Sequence, residues 1–285
     1  MDSKLKIRNN MQLSIITINY NNCDGLKKTI DSVVTQTFSD FEYVVIDGGS
    51  TDGSVEVIKE YADRIDYWVS ERDKGIYNAM NKGAFAANGD YLLFLNSGDV
   101  LCTPLVLQQV LGSHLDADIV CGNIVTNSGG GLKAPEHITM EYFINGSLPH
   151  PSSFIKRKLF DEHPYDEQFR ISGDWEFFLY HLVVKNVSYQ KISVDVSVFD
   201  TSGISSTTNR NEHDKELRRS VMDNILKPRI FADYKKFMGD DDIYFKLFYT
   251  LSHTHYKRTV YRIILLLLKI LMMNRGWVKQ FPFKG

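Results

Sequence analysis

The sequence predicts an α/β fold: a mostly parallel central sheet flanked by helices, followed by a helical C-terminal extension. Three observations carry this. Short β-branched runs alternate with amphipathic stretches, the rhythm of strand–helix crossover units. The early apolar runs end in polar clusters at 19–24, 47–53 and 96–99. The chain has 285 residues, 43% hydrophobic and 24% charged, enough to bury a core without staples and ordinary for a globular protein.

The elements follow in order. Leu13 to Asn19 is β-branched and apolar, a buried strand, and Asp24 is placed to cap a helix through Leu26, Ile30, Val33 and Val34. A second strand, 41–46, runs into Asp47-Gly-Gly-Ser-Thr-Asp-Gly53, with a helix beyond through Val55, Val57 and Ile58. A short third strand at 65–69 precedes a helix over 75–87, which Asp73 is placed to cap. A fourth strand, 89–95, closes on Asn96-Ser-Gly-Asp99. Pro104 opens another helix and 117–121 is a fifth strand. Beyond 123 the rhythm weakens. Residues 149–155 read as a turn into a short strand, Ser172-Gly-Asp174-Trp-Glu176 opens a helix, 187–199 alternates like a strand, and 201–211 is polar and reads as mobile.

Charge is unevenly spread. The net charge of −2 conceals a tail without acidic residues after Asp242, carrying Lys246, Lys257, Arg258, Arg262, Lys269, Arg275, Lys279 and Lys284. Residues 254–277 read as an amphipathic helix with a basic stripe of Arg258, Arg262 and Lys269. The apolar run 263–273 is too short to span a bilayer. The tail therefore suits either a membrane surface or packing on the body. Cys23, Cys102 and Cys121 are too few and scattered for a disulfide framework or zinc site, and fit a reducing compartment. Residues 1–10 are polar, so no targeting segment is expected.

In a parallel sheet, ligands bind outside the carboxyl ends of the strands, which gathers the polar clusters into one crevice. Asp47 with its glycines suits a base N–H or a ribose hydroxyl, or simply a tight turn in which Asp47 caps the next helix. The spacing is not that of a dinucleotide fingerprint. Asp99 suits a divalent ion on a diphosphate, or a helix cap. The segment 71–83 offers a helix start with Lys74 and Lys82 for phosphate, or a solvated amphipathic helix. Asp174 and Glu176, beside Trp175, Phe177 and Phe178, offer a general base, or ordinary N-terminal helix charge.

Together the patches resemble the family 2 glycosyltransferases of the GT-A fold over roughly 11–205. The resemblance rests on 16–21, on Gln36 and 38–41, on Asp47-Gly-Gly-Ser-Thr-Asp-Gly, on Phe94-Leu-Asn-Ser-Gly-Asp99 and on Ser172-Gly-Asp174. The segment from Asp73 to Gly83 is similar to a bacterial branch that builds surface polysaccharides. The resemblance implies a glycosyltransferase domain over 1–205, with a nucleotide-sugar half at 11–122 and an acceptor half at 123–205, and an extension over 206–285. It implies a donor site of Thr17, Asn19, Asp47, Ser50, Asp73, Lys74, Gly75, Asn78 and Asn96. Asp99 would hold magnesium or manganese, with His150 a further candidate ligand, and Asp174 would be the base. The implied reaction is inverting transfer from a nucleotide-diphosphate donor, a UDP-sugar, to a glycan or lipid-linked hydroxyl. The implied location is the cytoplasmic face of the membrane, with peripheral attachment through 254–277 and no nucleic-acid partner.

One departure stands out. The family carries several carboxylates after the fourth strand, and here only Asp99 remains, beside Asn96 and Gly98. That leaves room for a catalytically silent nucleotide-sugar-binding partner as an alternative. A sugar nucleotidyltransferase is disfavoured, because 19–25 lacks the glycine-rich basic loop that triphosphate needs.

Overall fold

The computed structural model describes residues 13–127, 129–203 and 212–225, together with Thr259, Ile263 and Leu266. The expected polar start, residues 204–211 and, those three positions aside, the amphipathic stretch 254–277 lie outside the described residues. The chain divides into two compact units, Met1–Ile225 and Leu226–Gly285. The first unit thus runs on past 205, the boundary the sequence suggests.

In the described residues, nine strands form one mixed sheet. They are β1 (Leu13–Asn19), β2 (Glu42–Asp47), β3 (Tyr67–Ser70), β4 (Tyr91–Phe94), β5 (Val100–Leu101), β6 (Ile119–Thr126), β7 (Gly131–Leu132), β8 (Ser153–Lys156) and β9 (Tyr189–Phe199). Their order is β3-β2-β1-β4-β8-β6-β9-β5, with β7 on β6. The first four strands by sequence are parallel neighbours. β8 then enters antiparallel between β4 and β6, so it runs against both neighbours and β6 again runs with β4.

The helices are α1 (Cys23–Val34), α2 (Ser54–Glu60), α3 (Ile76–Ala86), α4 (Val106–Gly112), α5 (Met140–Asn145), α6 (Lys158–Glu162), α7 (Gly173–Leu179) and α8 (Glu212–Ile225). Strand alternation sorts the core into two layers. Leu13, Ile15, Tyr43, Val45 and Leu93 pack with Leu26, Ile30 and Val33 of α1, Val57 and Ile58 of α2, and Val106, Leu107 and Val110 of α4. On the opposite face, Ile16 lies so close to Gly83 of α3 that a Cβ there would sit 2.4 Å from its Cγ2. Phe94 meets Phe160 of α6 and Tyr165 at ring distances of 5.7 and 5.5 Å.

Three local expectations are corrected. Asn22, not Asp24, caps α1, its side chain accepting from the Gly25 N–H at 3.2 Å. Gly75 is the N-cap of α3, which has no side-chain cap, so Asp73 is free of that duty. Asp47 does not cap α2, whose N-cap is Gly53.

Candidate active site

β1 pairs in parallel with both β2 and β4, so their carboxyl ends share one edge. Backbone bonds from Gly48 to Asn19 (2.8 Å) and from Ser97 to Ile18 (3.1 Å) continue the pairing into the loops. Asn22 Nδ2 donates to the Ser97 carbonyl at 3.0 Å. The three strand-end clusters therefore form one rim, as their positions in the sequence suggest.

Asp47 is fully buried. Its Oδ1 accepts from Asn19 Nδ2 (2.8 Å) and Ser50 Oγ (2.6 Å). Its Oδ2 accepts from Ser70 Oγ (2.6 Å) and the N–H groups of Ser50 (2.9 Å) and Gly49 (3.2 Å). Burial pushes the carboxyl up, but the donors from Ser50, Ser70 and Asn19 outweigh it and hold it below the ordinary carboxylate value. Asp47 thus organises the turn as an anion. Thr17 is fully buried, its Oγ1 3.0 Å from Tyr43 Oη, and offers no accessible surface to a ligand.

A Cβ at Gly48 would lie 3.1 Å from Asp73 Oδ2, which places Asp73 against the Asp47 turn. Lys82 pairs with Asp73 at 2.6 Å and Glu71 at 2.7 Å. Gly75 takes a φ of 143° at the start of α3, where the Asn78 side chain accepts from the Lys74 N–H at 3.1 Å.

Asp99 is 5% exposed, and its Oδ1 accepts from the Asp200 N–H at 2.9 Å. Burial pushes its pKa to about 7; the Asp200 N–H works against that and the Asp200 charge adds to it. Asp200 is the partner that sequence reasoning missed. A Cβ at Gly98 would lie 2.8 Å from its Oδ2, and Gly98 has a φ of 108°. The strand-end motif admits glycine there both for the turn and for the neighbouring carboxylate. Asn96 Oδ1 is buried without a hydrogen-bond partner. Among the described residues no three His, Cys, Asp or Glu side chains cluster as a metal cage. The donor set instead fits an ion of magnesium type, which takes one or two carboxylates and fills its shell from phosphate and water. His150 Nε2 lies 2.8 Å from Tyr165 Oη, and its ring is stacked on Phe94.

Asp174 sits in the first turn of α7. Tyr77 of α3 reaches it, with Oη 3.0 Å from Asp174 Oδ1 and 2.6 Å from the Ile171 carbonyl. Burial, then the Asp174 charge, push the Tyr77 phenol well above its ordinary value, so it remains a donor. A Cβ at Gly173 would lie 2.8 Å from the Tyr77 ring, so only glycine lets α3 approach the start of α7 this closely. Asn81 Nδ2 donates to the Tyr165 carbonyl and its Oδ1 accepts from the Tyr165 N–H, at 2.9 and 3.0 Å. The motif from Asp73 to Gly83 thus joins the strand-end rim to Asp174, a role its residue types alone do not announce.

The family model described as "Glycosyl transferase family 2" matches residues 14–178. The chain is a member of glycosyl transferase family 2. An uncharacterized glycosyltransferase of Mycobacterium tuberculosis is 34% identical over 221 residues, 73% of this chain and 82% of the relative. A PGL/p-HBAD biosynthesis glycosyltransferase of the same organism is 32% identical over 171 residues, 58% of this chain and 67% of that one. Among solved structures, S. aureus TarS 1–349 in complex with UDP-GlcNAc superposes with a TM-score of 0.61 at 18% identity, covering 74% of this chain and 66% of that one. The chain thus spans just under two thirds of the TarS fragment. The mannosyltransferase PcManGT from Pyrobaculum calidifontis, in complex with GDP-Man and Mn2+, gives a TM-score of 0.53 at 16% identity, covering 75% of this chain and 62% of that one. The fold of this glycosyltransferase is GT-A, and the family sets aside the nucleotidyltransferase alternative.

Proposed function

We propose that this glycosyltransferase transfers a sugar, with inversion, from a uridine diphosphate donor to a hydroxyl of a glycan or lipid-linked acceptor in surface polysaccharide assembly. The observation that carries the reading is the Tyr77–Asp174 pair at the start of α7, tied through α3 to the strand-end rim. A general base must lie across the sugar from the leaving diphosphate. Tyr77 engages Asp174 Oδ1, which leaves Oδ2 to receive the acceptor proton. As that proton leaves, the acceptor oxygen bonds to the anomeric carbon and the bond to the diphosphate breaks on the opposite face. The Asp47 turn, with Asn19 and Ser50, shapes the nucleoside end, while Asp73, Lys74, Gly75 and Asn78 border the donor sugar and diphosphate. Asp99, with Asp200 beside it, would hold magnesium or manganese, which would offset charge on the leaving group. UDP-GlcNAc in the TarS complex supports the donor class, and the name of the mycobacterial relative, a PGL/p-HBAD biosynthesis glycosyltransferase, supports a biosynthetic transferase role.

The test is release of nucleoside diphosphate from a panel of UDP-, dTDP- and GDP-sugars, with and without manganese, by the wild type and Asp174→Asn. A UDP-sugar is expected to be turned over, and the variant to lose about 100-fold or more in kcat, the usual weight of a general base, while still binding UDP. Normal turnover in the variant would move the base elsewhere, with Glu176 the next carboxylate to test.

The basic tail supports a second part of the proposal, peripheral attachment at the cytoplasmic face of the membrane. Ile263 and Leu266, three residues apart, are 52% and 59% exposed. Among the described residues no helix is long and apolar enough to cross a membrane. The protein is expected to sediment with phosphatidylglycerol vesicles at low salt and to be partly released at high salt. Indifference to vesicles at low salt would end this part and leave the transferase reading intact.

A further inference from the structure

The backbone of Arg170, Ile171 and Ser172 presents three N–H groups to a single buried side chain. Asp214, in the first turn of α8 and 1% exposed, accepts from Arg170 N at 3.1 Å on Oδ1, and from Ile171 N at 2.8 Å and Ser172 N at 3.0 Å on Oδ2. The Ile171 carbonyl is held from the other side by Tyr77 Oη at 2.6 Å. Three consecutive backbone donors ahead of Gly173 are thus satisfied by one side chain, and the carbonyl among them by another, both from distant parts of the chain. α8 adds a second contact one turn on, with the Arg218 guanidinium 4.0 Å from the centre of the Trp175 ring. Trp175 follows Asp174 directly, and its Nε1 donates to the Phe143 carbonyl at 2.7 Å.

This loop has no secondary-structure partner of its own. Its donors would face water, or stay unpaired at a cost, without an acceptor from elsewhere. A carboxylate that accepts three N–H bonds at once fixes both the position and the direction of the loop. The loop carries Asp174 into α7, so its placement sets where the carboxylate stands relative to an acceptor hydroxyl.

We propose that Asp214 is a positioning residue for catalysis, acting through the 170–172 backbone to hold Asp174 in its productive place, with Arg218 securing the same helix on Trp175. The proposal rests on the reading of Asp174 as the base. It makes α8, which follows the matched family region, part of the catalytic apparatus.

The test compares Asp214→Ala, Asp214→Asn, Asp174→Asn and the Asp214→Asn/Asp174→Asn double variant in the full chain. The donor is the sugar nucleotide of the panel that the wild type turns over fastest. Asp214→Ala is expected to lower kcat about 100-fold, the scale of a misplacement near 1 Å, with UDP affinity and donor KM unchanged. Asp214→Asn keeps one acceptor oxygen and is expected to fall between wild type and Asp214→Ala. The acidic limb of its kcat–pH profile should move, because the surroundings of the base have changed. In the double variant the residual turnover of Asp174→Asn should fall no further, since the two residues act as a unit.

Wild-type kcat and pH profile in folded Asp214→Asn overturn the positioning role, as do losses that multiply in the double variant. Both outcomes can be read whether or not Asp214→Ala folds. If Asp174→Asn is inactive while Asp214→Asn is normal, the positioning role falls alone. If Asp174→Asn turns over normally, the base assignment falls and the positioning role with it.

Discussion

Ionised Asp99 costs the folded state something that neutral Asp99 does not. Its carboxyl is pushed from 3.8 up to about 7, first by burial, with the Asp200 N–H opposing and the Asp200 charge adding. Between those values the folded protein retains a proton that the unfolded chain has released. Stability from this group is therefore present at acid pH, declines as the pH rises toward 7, and stays flat above it. Asp99→Asn keeps an oxygen for the Asp200 N–H and removes the charge. It is expected to raise the Tm at pH 8 and to change it little at pH 4. An equal shift at both values would show that the buried charge is not the cause. The same residue shows the limit of reading a motif. The single carboxylate of Asn96-Ser-Gly-Asp99 looks isolated in sequence, yet β9 ends beside it and delivers Asp200, 101 positions away.

At the scale of the element, α3 does two jobs on two faces, and two glycines separate them. Gly83 lets α3 sink onto β1: its Cβ would fall 2.4 Å from Ile16 Cγ2 and 3.4 Å from Ile46 Cγ1. Gly83→Ala is expected to destabilise by about 1–3 kcal/mol, the usual cost of overpacking, as measured by urea unfolding, with kcat preserved. Gly173→Ala would drive a methyl into the Tyr77 ring, the contact that orients Asp174. It is expected to lower kcat as well as stability. If both variants lost stability alone, Tyr77 would be packing rather than orienting. The helix itself is legible from periodicity, and so is its start near Gly75. Its orienting role is not, because no neighbouring residue shows what the Tyr77 hydroxyl will meet until α7 is placed against it.

At the scale of the whole molecule, the first compact unit ends at Ile225 rather than at 205. Asp214 and Met222 of α8 are buried within it. Truncation after Ile225 is expected to leave a folded protein that binds UDP and turns over donor. Truncation after Gly203 removes the Asp214 carboxylate and uncovers the Trp175 ring, and is expected to abolish turnover and lower the Tm. Circular dichroism melts and UDP titration on the two truncations check this. Equal activity in both would return α8 to the status of an appendage.

The sequence by itself determined the alternation of strands and helices, the rim of polar clusters at the strand ends and the family, because these are written in local period, turn chemistry and short motifs. It also placed Asp47, Asp99 and Asp174 at turns and a helix start. Tertiary structure alone decided their partners. β8 enters antiparallel beside β4, Asp200 arrives at Asp99, Tyr77 leans on Asp174 across 97 positions, and Asp214 closes on the loop 42–44 positions before it. The physical reason is that a buried polar group must find a donor or acceptor wherever packing brings one. Which distant residue supplies it depends on how the layers stack, and no window of neighbouring residues contains that information.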